Sequence, residues 1–173
     1  MDTSTIIRKA LSRPAGALNE NEAKEVLKRH GLPVVEERVA MSAQEALVAA
    51  DDLGYPVVLK GLGSQLLHKT EMGLVWTNLT SPDALRQAAE HIFARGDNRL
   101  EGVLVQHHIT AKRELMVGMV RDPQFGPVIM FGLGGIFVEV LKDVVFSLTP
   151  VSDTEAREMV DGVRGSALLE GVR

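Results

Sequence analysis

Residues 55–79 read YPVVLKGLGSQLLHKTEMGLVWTNL, and this stretch decides how the first half of the chain folds. It opens with a short apolar run from Tyr55 to Lys60, which is typical of a buried strand. Residues 61–73 combine three glycines with mixed polarity, and this predicts an exposed loop whose backbone approaches another group closely. The apolar pattern resumes from Leu74 to Leu79. The stretch therefore predicts two strands joined by a glycine-containing loop.

Signals for helix starts surround these two strands. Asn19 and Ser42 each stand three residues before a glutamate, as in a capping box, and Ser81 directly precedes a proline. The predicted helices cover residues 20–30, 43–53 and 82–95, and the predicted strands cover residues 34–40, 55–60 and 74–79. Helices and strands alternate, so this half is expected to form one α+β lobe.

Short β-rich runs separated by turn residues follow from Gly102 onward. They cover residues 102–109, 114–121, 127–131 and 137–141, and they predict an antiparallel sheet. A last helix is predicted after Ser152, again three residues before a glutamate. We therefore divide the chain into an N-terminal extension (1–17), a first lobe (18–101) and a second lobe (102–173). The end of the chain lacks a closing element, so the second lobe is expected to be incomplete.

The composition excludes several classes of protein. Of 173 residues, 45% are hydrophobic and 24% are charged, as in an ordinary globular protein. The net charge of −4 offers no basic field for nucleic acid or for an anionic membrane. Cysteine is absent, which excludes disulfides and thiolate metal sites. No apolar run is long enough to span a membrane or to serve as a signal peptide, so a cytoplasmic location is expected.

Two side chains near the glycine loop suit phosphate chemistry. Lys60 ends a strand just before the loop, where an ammonium group beside exposed backbone N–H groups can bind a polyphosphate. Alternatively, the aliphatic part of the Lys60 side chain packs along the sheet while its ammonium group reaches solvent. His68, inside the loop, can accept a phosphoryl group or relay a proton near neutral pH. Its alternative role is that of an ordinary surface histidine.

Further candidates lie in the second half. The backbone of residues 106–108 ends a strand and can read the edge of a purine; adjacent histidines on a strand point to opposite faces, which argues against a metal site there. Glu114 can accept hydrogen bonds from ribose hydroxyls or help to hold a cation near phosphates. Alternatively, it is an edge-strand charge that discourages aggregation. Residues 132–135 are glycine-rich but precede no helix, so a hairpin is expected. Residues 139–143 contain charges that form either an ion-pair corner or part of a site.

These residues also carry a resemblance to a known family. The sequence resembles the ATP-grasp domain of the ADP-forming (NDP-forming) acyl-CoA synthetases, which include acetate–CoA ligases and are relatives of succinyl-CoA synthetase. The similarity covers nearly the whole chain, including residues 18–20, 54–60 and 67–71. It is most specific over residues 122–135 and 138–144, which read DPQFGPVIMFGLGG and VEVLKDV.

The resemblance implies an ATP-grasp fold, in which two α+β lobes with antiparallel sheets hold a nucleotide. It implies the reaction acyl-CoA + ADP + phosphate ⇌ acid + CoA + ATP, with His68 as the phosphoryl-relaying catalytic residue. In the implied roles, Lys60 contacts the phosphates, the loop covers them, the backbone of residues 106–108 holds adenine and Glu114 takes the ribose. The implied nucleotide-binding residues are Lys60, Gly61, Gly63, Lys69, Gly73, Gln106, His107, His108 and Glu114.

The resemblance also implies missing parts. Mg²⁺ ligands are expected beyond Arg173, and CoA-binding domains with a second phosphohistidine are expected in a fused or separate partner, so the isolated chain is expected to be inactive. Gly73 is followed by Leu74, whereas the family usually has a second glycine. This departure keeps open a regulatory ATP-grasp module fused to an acetyltransferase. A carboxylate–amine ligase of the same fold is disfavoured by residues 122–143.

Overall fold

The structure is a computed structural model that describes residues 2–66, 69–111, 113–135 and 143–169. It consists of two compact units, Met1–Ile109 and Thr110–Arg173. The elements of the first unit are α1 (Thr3–Leu11), α2 (Glu20–Arg29), β1 (Glu37–Ala40), α3 (Ala43–Leu53), β2 (Val57–Leu62), β3 (Val75–Leu79), α4 (Pro82–Arg95) and β4 (Gly102–His107). The elements of the second unit are β5 (Leu115–Asp122), β6 (Gly126–Leu133), β7 (Val144–Leu148), α5 (Asp153–Asp161) and a 3₁₀ turn (Ser166–Leu168).

The first unit is built on an antiparallel sheet with the strand order β1-β4-β2-β3. Strand β4 lies inside this sheet, and Val105 pairs with Arg38 of β1 on one side and with Leu59 of β2 on the other. Helices α3 and α4 contribute Leu47, Leu85 and other buried aliphatic side chains to the same core. Aliphatic packing therefore holds the first unit together, as the low aromatic content requires.

The predicted boundary at Gly102 is wrong, because the first compact unit continues to Ile109. Strand β4 comes after the predicted boundary in sequence but pairs only with strands of the first unit's sheet. A boundary placed where the short β-rich runs begin in the sequence groups β4 with the strands that follow it. Hydrogen bonding groups it with β1 and β2 instead.

The second unit contains an antiparallel sheet with the strand order β5-β6-β7. The predicted turn at 122–126 joins β5 to β6, and the Asp122 carboxylate accepts hydrogen bonds from the backbone N–H groups of Gln124 and Phe125. Helix α5 packs Met159 against the sheet, where it meets Phe131. The predicted strand over 137–141 lies outside the described residues. Strand β7 was not predicted.

Two other features differ from the sequence predictions. The expected N-terminal extension contains α1, and Arg13 just after this helix forms a salt bridge with Glu22 of α2 at 2.5 Å. The expected hairpin at 132–135 is partly strand, since β6 continues to Leu133. No helix in the described part of the chain is long and apolar enough to cross a membrane.

Candidate functional site

Three lysine side chains of the first unit converge on one carboxylate. Glu20 is the first residue of α2, and its Oε1 accepts hydrogen bonds from Lys60 at 2.8 Å and from Lys24 at 3.0 Å. Its Oε2 accepts one from Lys69 at 2.6 Å. Lys60 comes from β2 and Lys69 from the glycine loop, so the two predicted phosphate-binding lysines lie together. We call Glu20, Lys24, Lys60 and Lys69 the lysine cluster.

The electrostatics of the lysine cluster keep Glu20 ionised. Burial alone would raise the pKa of Glu20, but the hydrogen bonds from Lys60, Lys69 and Lys24 outweigh it and lower the pKa from 4.5 to about 2. The side chains of Lys60 and Lys69 remain 24% and 20% exposed. The Glu20 carboxylate therefore holds their ammonium groups in place, and both side chains remain partly exposed.

Lys24 has further partners of its own. Its ammonium group also donates to Glu37 at 2.6 Å and to Gln106 at 2.9 Å. The Glu37 carboxylate therefore neutralises Lys24 separately. Among the ion pairs of the described residues, Lys60 and Lys69 then share the single charge of Glu20, which leaves this pair with one excess positive charge. Such a pair can bind an anion.

The start of the glycine loop is tied to the same helix terminus. The Glu101 carboxylate accepts hydrogen bonds from the backbone N–H and hydroxyl of Ser64, at 2.9 and 2.8 Å. Its other oxygen accepts one from the side chain of Asn19, the N-cap of α2, at 2.9 Å. The α2 terminus therefore holds the loop at Ser64 through Glu101 and at Lys69 through Glu20.

Each of the three glycines of the loop has a structural reason within the protein, which is steric at Gly61 and Gly63 and conformational at Gly73. A Cβ atom on Gly63 would lie 2.2 Å from the carbonyl oxygen of Arg99, and one on Gly61 would lie 3.2 Å from the Leu74 side chain. Gly73 has a φ of +70°, which favours glycine. Leu74, which stands where the family usually has a second glycine, is fully buried in the core. These contacts explain the glycine pattern without a ligand.

The predicted adenine contact needs free backbone groups at the end of β4, but two of the backbone N–H groups there are already engaged. The backbone N–H of His107 donates to the carbonyl of Glu36 at 3.2 Å, and the N–H of His108 donates to the carbonyl of Pro56 at 3.1 Å. Both groups are engaged in this conformation and cannot also donate to an adenine. The side chain of Gln106 reaches the lysine cluster through Lys24.

In the second unit, Glu114 lies against the glycine run. Its carbonyl oxygen accepts a hydrogen bond from the N–H of Gly134 at 2.7 Å, and a Cβ on Gly135 would lie 3.0 Å from its carboxylate. Asp143 is buried and accepts hydrogen bonds from the backbone N–H groups of Arg164 and Gly165. This makes Asp143 a cap for the final turn of the unit, in place of the exposed ion-pair corner considered from sequence.

His68 lies outside the described residues, as do Glu139 and Lys142. Within the described ranges, no three His, Asp or Glu side chains are grouped in a way that could hold a metal ion. The sequence analysis did not identify Glu20 or Lys24 as site residues. Their spacing of four residues at the start of a predicted helix indicates an ordinary surface ion pair, which is why the signal was missed.

Residues 9–173 match the ATP-grasp domain family. This match defines the class, and the chain belongs to the ATP-grasp family. The α+β ATP-grasp fold predicted from the sequence is thereby confirmed.

Three relatives with 43–44% sequence identity to this chain are ADP-forming ligases or their subunits. The chain is 43% identical over 173 residues to the beta subunit of ADP-forming acetate–CoA ligase II from Pyrococcus furiosus, covering 97% of this chain and 73% of that subunit. It is 43% identical over 170 residues to the beta subunit of isoform I from the same organism, covering 95% and 72%. It is also 44% identical over 161 residues to the ADP-forming 4-hydroxybutyrate–CoA ligase of Nitrosopumilus maritimus, covering 90% of this chain but 23% of that protein.

The chain is also similar to solved structures of an acetyl-coenzyme A synthetase. Acetyl-coenzyme A synthetase 1 of Ca. Korarchaeum cryptofilum, in complex with coenzyme A and Ca-AMPCP, matches with a TM-score of 0.92 at 39% identity, covering 99% of this chain and 77% of that chain. The same enzyme with coenzyme A and Mg-AMPPCP has its phosphohistidine segment pointing towards the nucleotide-binding site. It matches with a TM-score of 0.85 at 37% identity, covering 99% and 76%. The resemblance to ADP-forming acyl-CoA synthetases stated from the sequence is confirmed.

Proposed function

We propose that this chain is the nucleotide-binding part of an ADP-forming acyl-CoA synthetase. The observation that carries the proposal is the pairing of Lys60 and Lys69 on Glu20 at 2.8 and 2.6 Å. Two partly exposed lysine side chains that share one carboxylate can bind an anion such as a phosphate group. The similarity to beta subunits of acetate–CoA ligases supports ATP or ADP as the nucleotide.

In this proposal the residues of the chain position phosphates and neutralise their charge. Lys60 and Lys69 donate hydrogen bonds to phosphate oxygens, and such positioning is the main protein contribution to phosphoryl transfer. Mg²⁺ would neutralise further phosphate charge when bound, through ligands outside the described residues. The contact of Glu114 with the ribose stays a prediction. The contact of residues 106–108 with adenine also stays a prediction, and it would use their carbonyl oxygens and side chains.

We also propose a phosphoryl relay through His68 and a partner that receives the phosphoryl group. His68 accepts the phosphoryl group and passes it towards CoA-binding domains, which are fused to this chain or carried by a separate subunit. The phosphohistidine segment of the Korarchaeum synthetase supports this arrangement. The carboxylic acid that such an enzyme activates is left open.

Calorimetric titration with Mg-ADP tests the nucleotide site. Lys60→Met and Lys69→Met remove one ammonium group each, and each is expected to weaken binding by about tenfold or more, since charge-assisted hydrogen bonds are among the stronger polar contacts. Lys28→Met, an exposed lysine on α2, is the matched control and is expected to leave the affinity unchanged. Equal affinities for all four proteins would contradict the proposal.

Phosphohistidine formation tests the relay separately. The intact enzyme, with its CoA-binding domains, is incubated with radiolabelled ATP, and the acid-labile label is measured for the wild type and for His68→Ala. Loss of the label in the variant, with Mg-ADP binding retained, is the expected result. A wild-type enzyme that binds nucleotide but never becomes labelled would instead fit a regulatory module without ligase turnover.

A further inference from the structure

Building on the nucleotide site proposed above, we propose that Glu20 is an internal counter-anion that limits the affinity of Lys60 and Lys69 for polyphosphate. A counter-anion of this kind occupies the lysines in the free protein and weakens the binding of an incoming phosphate. It thereby sets the affinity of the site. Glu20 belongs to a helix that is separate in sequence from the glycine loop.

The geometry leaves Glu20 and a ligand in competition. Both carboxylate oxygens are used, Oε1 by Lys60 and Oε2 by Lys69. An ammonium group has three N–H donors, so each lysine can reach a phosphate oxygen while still contacting Glu20. A phosphate bound there would lie within a few ångströms of the Glu20 charge, since the same ammonium groups contact both anions.

The repulsion at that distance is large enough to matter. Two like charges about 5 Å apart repel appreciably even when solvent screens them, and this repulsion is absent when residue 20 is neutral. Removing the carboxylate charge would also raise the net charge of the lysine pair from one positive charge to two. Both effects favour anion binding once Glu20 is neutralised.

Glu20 cannot simply move away with one lysine. It is the first residue of α2, whose start is fixed by the capping box of Asn19 and Glu22. Asn19 is itself held by Glu101 at 2.9 Å. The backbone of Glu20 is therefore anchored to the first unit, which keeps its carboxylate near Lys60, while Lys69 belongs to a loop. A fixed anion facing lysines that bind a ligand acts as a constant competitor.

The test compares the wild type with Glu20→Gln by calorimetry, using tripolyphosphate and Mg-ADP as separate probes, and by thermal unfolding without ligand. We expect Glu20→Gln to bind tripolyphosphate at least about tenfold more tightly and yet to unfold at a lower temperature, because the two lysines lose their shared partner. A merely structural role would lower stability and affinity together. The opposite signs therefore distinguish the two roles.

The matched control is Glu25→Gln on the same helix. Glu25 pairs with Arg29 at 2.5 Å on the exposed side of α2, so this variant removes the same charge away from the lysine cluster. It is expected to leave both affinities within about twofold of the wild type. If Glu20→Gln does not fold, Glu20→Asp replaces it. The shorter aspartate should hold the lysines less well and shift affinity in the same direction by a smaller factor.

The outcomes separate this inference from the proposed function. Tripolyphosphate binding that is unchanged or weaker in Glu20→Gln overturns the counter-anion role, and so does a failure of both proteins to bind tripolyphosphate. A wild type that binds tripolyphosphate but not Mg-ADP overturns the nucleotide proposal, and the comparison of the two proteins for tripolyphosphate still decides the role of Glu20. Tighter binding with lower stability supports it.

Discussion

The carboxyl group of Glu20 stays ionised far below the pH at which an exposed glutamate takes up a proton. Its pKa of about 2 results from hydrogen bonds donated by Lys60, Lys69 and Lys24, which outweigh the effect of burial. A lowered pKa in the folded state means that the unfolded chain binds the proton more readily. Acid therefore favours unfolding through this residue.

We expect the stability contribution of Glu20 to be complete above pH 4.5, the ordinary pKa, and to disappear as the pH falls through about 2. Urea unfolding of the wild type and of Glu20→Gln at several pH values between 6 and 2 measures it. The difference in free energy of unfolding should be on the order of 1–3 kcal/mol at pH 6 and should shrink towards pH 2. A difference that stays constant over this range would contradict the assignment.

At the scale of single elements, the start of α2 does more than an ordinary helix start. The side chain of Asn19 accepts a hydrogen bond from the N–H of Glu22 and also donates to Glu101, which holds the loop at Ser64. By comparison, Ser42 at the start of α3 accepts one hydrogen bond from the N–H of Glu45. Ser42 therefore caps only its own helix, whereas Asn19 also helps to position the glycine loop.

We therefore expect Asn19→Ala to cost more than Ser42→Ala. Loss of an N-cap side chain costs about 1 kcal/mol, and the additional loss of the bond to Glu101 should add about 1 kcal/mol. Urea unfolding of the two variants gives this comparison within one unit of the protein. Only Asn19→Ala should also weaken Mg-ADP binding. Equal costs, with unchanged binding in both, would show that Glu101 holds the loop without Asn19.

Local sequence signals identified most of these elements. Capping residues and glycine stops predicted α2, α3, α4 and α5, and apolar runs predicted β1 to β6. Helix α1 was missed because its N-cap, Asp2, is not followed by a glutamate three residues later. The partners of Glu20 could not be predicted, since Lys60 and Lys69 lie 40 and 49 residues away and only the folded sheet brings them close.

At the scale of the whole molecule, strand β4 belongs to the first compact unit, which ends at Ile109. β4 is the last strand of the first unit in sequence but lies between β1 and β2 in space. Sequence patterns report which residues form strands, whereas the order of strands in a sheet depends on contacts between distant residues. The boundary was therefore misplaced although the strand itself was predicted correctly.

We expect a fragment of residues 1–109 to fold by itself and a fragment of residues 1–101 to remain unfolded. The longer fragment contains every strand of the first sheet, and the shorter one lacks the strand that joins β1 to β2. Circular dichroism and the dispersion of amide signals in NMR spectra distinguish the two outcomes. A folded fragment of residues 1–101 would show that β1 and β2 do not require β4.

The central place of β4 also constrains folding during synthesis. A nascent chain can form its first helices early, but β1 and β2 have no hydrogen-bonding connection until Gly102–His107 has emerged from the ribosome. Until then β1 and β2 expose backbone edges that other chains could pair with. A pause in translation would protect the growing polypeptide only if it fell after residue 107, and an earlier pause would prolong its need for a chaperone.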